Sequence, residues 1–203
     1  MGDTKGYDIA TAIEDRAFVA ALRSRRAAER DRAWRQLYAA RADGIYRLVC
    51  CLGVAPGDVE DVVQRVFTIA HRRLHDAELD NIGPWLRGIA VKVSSDQRRF
   101  WRLRRLKHWL LRSTTEAATA HVPTPEQRLE QAETGQRAQD VLDRLSPKLR
   151  EVLVLADLEQ CKPAEVARLL GIPVNTVRSR RRLARERFIQ LWERDETAEA
   201  GDA

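Results

Sequence analysis

From Ile13 to Leu52 apolar residues recur at helical spacing: Phe18, Leu22, Trp34, Leu37, Ile45, Leu48, Val49 and Leu52. "GVAPGD" (53–58) breaks that pattern, and Asp58 stands where a helix N-cap would. The next segment, "VEDVVQRVFTIAHRRL", carries an apolar stripe of Val59, Val62, Val63, Val66, Ile69 and Ala70. "HDAELDNIGP" (75–84) reads as a polar loop, and 85–111 as one long helix, basic in its second half. A helix follows from the capping box Thr124-Pro125-Glu126-Gln127 to about Leu145. Ser146-Pro147 opens another, Pro163 a short one that ends at Gly171, and Pro173 the last. No alternating pattern of the strand type persists. The chain is therefore expected to be all-α: two small helical domains on a flexible linker.

The expected boundaries are a loose leader (1–13), a first domain (14–111), a linker (112–123), a second domain (124–194) and a frayed acidic tail (195–203). The linker is placed by composition: "STTEAATAHVPTP" is small and polar, contains proline and has no Lys or Arg.

Charge sharpens this picture. The net charge of +6 points to a polyanionic partner, either nucleic acid or an acidic membrane surface. The three cysteines, Cys50, Cys51 and Cys161, are odd in number and two are adjacent, which fits a reducing cytoplasm better than a disulfide framework. No run of about 18 apolar residues is present, so no membrane insertion is expected. His71 and His75 have metal-compatible spacing, but no nearby Cys or third His completes a site and they are read as a surface pair. The chain has no phosphate-cradling glycine loop, nucleophile elbow or paired-carboxylate motif, so neither enzymatic activity nor a cofactor is expected.

Residues 163–184 are the most informative. "PAEVARLLGIPVNTVRSRRRLA" has the layout of a helix-turn-helix. The short helix presents Val166, Ala167, Leu169 and Leu170, and Gly171 makes the tight turn. The second helix is expected to bury Val174, Val177, Ala184 and Phe188. Its opposite face carries Asn175, Arg178, Ser179 and Arg182 at i, i+3, i+4 and i+7. Arginine suits guanine edges or phosphate, asparagine suits adenine, and serine suits either. Arg180, Arg181 and Arg185 flank that face and are placed for phosphates.

This region, "LSPKLREVLVLADLEQCKPAEVARLLGIPVNTVRSRRRLARERF", resembles region 4 of the bacterial sigma-70 family, in its extracytoplasmic-function (ECF) form. Arg150-Glu151-Val152, Glu165-Val166-Ala167, Leu170-Gly171 and Thr176-Val177-Arg178-Ser179-Arg180 carry the match. Arg181 stands where the family usually has an apolar residue, and Leu183 where an arginine is common. Two further stretches resemble region 2 of the same family. In "DVEDVVQRVFTIAHRRL", Asp61, Gln64 and Phe67 match, while Arg65 replaces an acid. In "IGPWLRGIAVKVSSDQRR", Trp85, Leu86, Ile89, Ala90, Asp96 and Arg99 match, while Lys92 replaces an asparagine.

The resemblance implies a cytoplasmic sigma factor that binds core RNA polymerase, directs it to promoters and assists their melting. Asp61, Gln64, Arg65 and Phe67 would face the clamp helices of the β′ subunit. Leu79, Asp80, Asn81, Lys92, Asp96 and Arg99 would hold the melted −10 strand. Trp85 opens an apolar helix face and is read as core. The second domain would sit on the β flap tip. It would read the −35 element through Asn175, Thr176, Arg178, Ser179, Arg180, Arg182 and Arg185. An anti-sigma factor is implied as a further partner.

"RRFWRLRRLKHWLLR" (98–112) fits salt-sensitive contact with the DNA backbone. A membrane-surface helix is its rival, supported weakly by Trp101, Trp109, Leu106, Leu110 and Leu111 but lacking a clean apolar face. A conventional helix-turn-helix regulator would share the C-terminal half without the two region 2 stretches.

Overall fold

The computed structural model describes residues 19–22, 24, 26–74, 82–111 and 127–200, with side chains left undescribed at 102–111, 127–134 and 198–200. The expected leader and linker lie outside these residues. So do Leu79, Asp80 and Asn81, His75, and the first three residues of the Thr124–Gln127 capping box. Among the described residues there is no strand. A helical turn at 19–22 precedes α1 (Ala27–Cys51). Then come a 3-10 turn (Pro56–Asp58), α2 (Val59–Arg73) and α3 (Ile82–Leu111). The remaining helices are α4 (Gln127–Arg144), α5 (Pro147–Leu153), α6 (Pro163–Leu170) and α7 (Val174–Ala200), with a π-helical turn (Val154–Leu158) continuing α5.

The described residues fall into two compact units. One lies within Met1–Val49 and Asp58–Gln97, the other within Cys50–Gly57 and Arg98–Ala203. The division falls inside α3.

In the first unit the apolar stripes become core. Ala33, Leu37, Ile45, Leu48 and Val49 of α1 are buried, as are Val59, Val62, Val63, Val66, Phe67 and Ala70 of α2. From α3 come Ile82, Leu86, Ala90, Val91 and Val93. Aromatic pairs join α1 to α2: the Tyr38 and Phe67 rings are 4.7 Å apart, those of Trp34 and His71 4.8 Å. Arg65 on α2 donates to Gln97 Oε1 on α3 at 3.1 Å.

Asp58 does not cap α2. Its backbone is already helical (φ −106°, ψ −7°), because the 3-10 turn runs straight into the helix, and its carboxylate makes no capping bond. Trp85 is half-buried.

In the second unit α7 is the spine. Val177 and Ala184 on α7, Val166 on α6, and Val152, Val154 and Leu155 of α5 and its π turn are all buried. Val174 and Phe188 are only half-buried. Arg150 is buried at the end of α4, where its Nε donates to Leu142 O at 2.6 Å and its Nη1 pairs with Asp143 at 3.0 Å. A cation there satisfies a terminal carbonyl and suits the negative end of the helix dipole. Helix α4 also grips α7: the Arg137 guanidinium lies 4.4 Å from the centre of the Trp192 ring, and Arg144 pairs with Asp195 at 2.7 Å.

The acidic tail differs from its expectation, since α7 continues through it to Ala200. Two of its acids have partners that reward helix: Asp195 meets Arg144, and Glu196 accepts from Trp192 Nε1 at 2.8 Å.

Candidate nucleic-acid interface

Three local signals build the helix-turn-helix. Lys162 is extended (φ −63°, ψ 147°) and Pro163 supplies the first turn of α6. Gly171 ends α6 in the left-handed region (φ 64°, ψ 37°), with its own N–H and that of Ile172 both donating to Ala167 O. Pro173 then offers its carbonyl to Val177 N at 3.1 Å, which starts α7. The chain thus reverses between the short α6 and the long α7, with these bonds satisfying part of the groups at the turn.

With Val177 and Ala184 buried, the opposite face of α7 is set. Asn175, Arg178, Ser179 and Arg182 are all exposed, as expected from their spacing. They form a local network: Arg178 Nη1 donates to Asn175 Oδ1 at 3.3 Å, Ser179 Oγ donates to Thr176 O at 3.1 Å, and Arg182 pairs with Glu186 at 3.0 Å. Such i,i+3 and i,i+4 bonds hold the side chains against the helix at little energetic cost, so a ligand can displace them. Thr176 and Arg180 are half-buried.

Arg185 stands differently from its expectation. It is exposed, but its guanidinium lies on the Asp157 carboxylate, with Nε 3.0 Å from Oδ2 and Nη2 bonded to Oδ1. Arg181 joins it there, with Nε and Nη2 at 3.0 and 2.6 Å from Oδ1. Burial pushes the Asp157 carboxyl upward, but the hydrogen bonds and charges of Arg185 and Arg181 outweigh it and hold the group below the usual carboxylate range. The same bond and charge raise the pKa of Arg185. Asp157 was not among the expected site residues. Its one sequence signal is being the sole acid in the apolar run "VLVLADL".

In the first unit Asp61, Gln64 and Arg65 share the exposed side of α2. Phe67 does not join them: it is 6% exposed and packs on Tyr38, so it belongs to the core. Its ring falls one residue after Val66 on the turn that faces α1, where burial of an aromatic outweighs exposure. Lys92, Asp96 and Arg99 are exposed and follow one another on α3 at i, i+4 and i+7, Lys92 and Asp96 in the first unit and Arg99 in the second. No group of three or more His, Cys, Asp or Glu residues that could hold a metal occurs among the described residues. No helix among them is long and apolar enough to cross a membrane.

Known proteins share both the sequence and the architecture. The family model described as sigma-70, region 4, matches residues 135–188. The chain is 31% identical over 147 residues to the ECF RNA polymerase sigma factor SigE of Mycolicibacterium smegmatis, covering 72% of this chain and 56% of that protein. It is 31% identical over 173 residues to the RNA polymerase sigma factor NccH of Alcaligenes xylosoxydans xylosoxydans, covering 83% of this chain and 91% of that one. Among solved structures, CnrH in complex with the cytosolic domain of CnrY superposes with a TM-score of 0.62 at 26% identity, covering 89% of this chain and 98% of that chain. The fold is a helical one in two units, with a helix-turn-helix in the second. The chain belongs to the ECF RNA polymerase sigma factors, the initiation factors that bring the polymerase to promoters.

Proposed function

We propose that the chain binds core RNA polymerase through its first unit and lays α7 in the major groove of a −35 element. Asp61, Gln64 and Arg65 present the polar surface for the clamp helices of the β′ subunit, and the second unit rests on the β flap tip. Asn175, Arg178, Ser179 and Arg182 read base edges. Thr176 and Arg180 complete the contact from their half-buried positions, while Arg185 stays on Asp157. Lys92, Asp96 and Arg99, with Leu79, Asp80 and Asn81 from the segment outside the described residues, hold the separated −10 strand. The protein works in the cytoplasm and performs no covalent chemistry of its own. An anti-sigma factor restrains it, a reading supported by the complex of CnrH with the cytosolic domain of CnrY.

The observation that carries this reading is the exposed Asn175–Arg178–Ser179–Arg182 face on a helix whose other side is locked by Val177 and Ala184. The test is transcription in vitro with core polymerase and a genomic fragment library. A discrete run-off product is expected, dependent on this chain. Changing Arg178 or Arg182 to Ala should cost about 1–3 kcal/mol at particular −35 positions. A loss spread evenly over all sequences would move these side chains to phosphates. Tight duplex binding without polymerase, and no stimulated transcription, would favour a conventional regulator instead.

A further inference from the structure

Helix α7 carries arginines at 178, 180, 181, 182, 185 and 187, a density that by itself favours any DNA over a chosen sequence. Asp157 changes that balance. It sits in the π turn that follows α5, where Glu159 N reaches back to Val154 O at 2.9 Å and Cys161 N to Leu155 O at 2.9 Å. This turn aims the carboxylate at α7, 24 and 28 residues further along the chain. Both its oxygens are occupied: Oδ1 accepts from Arg181 Nε, Arg181 Nη2 and Arg185 Nη2, and Oδ2 from Arg185 Nε. Each guanidinium therefore spends its Nε–Nη2 edge on the acid. That edge is one of those that grip a phosphate in the bidentate manner. The Asp157 side chain is only 18% exposed, whereas that of Arg185 is 55% exposed and would otherwise be free for a polyanion.

We infer that Asp157 is a specificity-determining residue that withholds Arg181 and Arg185 from the DNA backbone, leaving recognition to Asn175, Arg178, Ser179 and Arg182. The inference rests on the −35 reading above. Its physical logic is subtraction. Phosphate contacts add affinity for every sequence alike, while base contacts add it for one, so masking two phosphate donors widens the gap between them.

The experiment measures binding of the full chain, assembled with bacterial core polymerase, to two duplexes across a salt series. One is a promoter fragment recovered from the transcription assay, the other the same fragment with its −35 element scrambled. Asp157→Asn keeps the shape and removes the charge. It should steepen the dependence of log affinity on log salt by about 0.9 for one released arginine and about twice that for both. Between 50 and 200 mM salt this is an extra loss of about three- to twelve-fold. Affinity for the scrambled fragment should rise more than that for the promoter, so the ratio between them falls. A second variant, Arg181→Leu, should leave the slope unchanged, because that cation touches no phosphate in the native protein. The inference is overturned if Asp157→Asn leaves the slope equal or shallower, or if Arg181→Leu flattens it by about 0.9. A native chain that supports specific transcription while Asp157→Asn behaves as native removes this inference alone. A native chain that gives no polymerase-dependent promoter binding removes the −35 reading and this inference with it.

Discussion

Gly171 offers the sharpest test of the turn that aims α7. Its backbone is left-handed (φ 64°, ψ 37°), a region that costs an L-residue roughly 1–2 kcal/mol. A Cβ built at this position meets nothing within 4 Å, so Gly171→Ala adds no collision to that cost. Alanine also restricts the unfolded chain relative to glycine, returning about 0.4–1 kcal/mol. The hydrogen bonds of Gly171 N and Ile172 N to Ala167 O survive the change, since neither involves the side chain. The net loss should be about 1 kcal/mol, which for a unit of this size lowers its melting temperature by roughly 4–8 °C. Gly171→Asn should cost less, because asparagine tolerates this region better than alanine does. Circular dichroism melts of the full chain and the two variants give the ranking Gly, Asn, Ala. Promoter-specific transcription at 25 °C should persist in both variants, because the Asn175–Arg182 face is untouched. A loss above about 3 kcal/mol for alanine would reveal a contact the open surroundings do not contain. No loss at all, with asparagine no better than alanine, would show that the turn is not left-handed in solution.

Two further outcomes bear on the second unit. Leu155 of the π turn is 0% exposed, so Leu155→Ala should destabilise that unit by about 2–5 kcal/mol in urea unfolding, and a value under 1 would place it outside a packed core. The depressed pKa of Asp157 means that its contribution to stability is present above the ordinary aspartate value of about 3.9 and declines as pH falls through the lower folded value. The stability gap between native protein and Asp157→Asn should therefore shrink as pH is lowered below about 4, and a gap that widens there would contradict the ion-pair assignment.

What was legible in the chain was whatever depends on neighbours a few residues away. Proline at 147 and 163 marked helix starts, and Gly171 marked the reversal, because φ restrictions and missing donors act on a single residue. The period of Val59, Val62, Val63 and Val66 marked a buried face, and that of Asn175, Arg178, Ser179 and Arg182 an exposed one, because 3.6 residues per turn relates them without reference to any other element.

Local pattern misled at several positions, most often where a partner lay far along the chain. Phe67 shares a helix with the exposed Asp61, Gln64 and Arg65, yet Tyr38 of another helix takes it into the core. Asp58 has the chemistry of an N-cap, but the preceding 3-10 turn already holds its backbone in helix. The acids at 195 and 196 looked like a frayed end until Arg144 and Trp192 supplied partners for them. Above all, spacing put Arg185 at the edge of the exposed Asn175–Arg182 face, and only the approach of the π turn to α7 brought Asp157 onto it. The amino-acid order alone determined the helices, most of their buried and exposed sides and the exposed Asn175–Arg182 face of α7, since these follow from one-residue conformational preference and helical period. The tertiary structure decided which charges remain available to a ligand. That depends on distances between residues more than 20 positions apart, which no periodicity encodes.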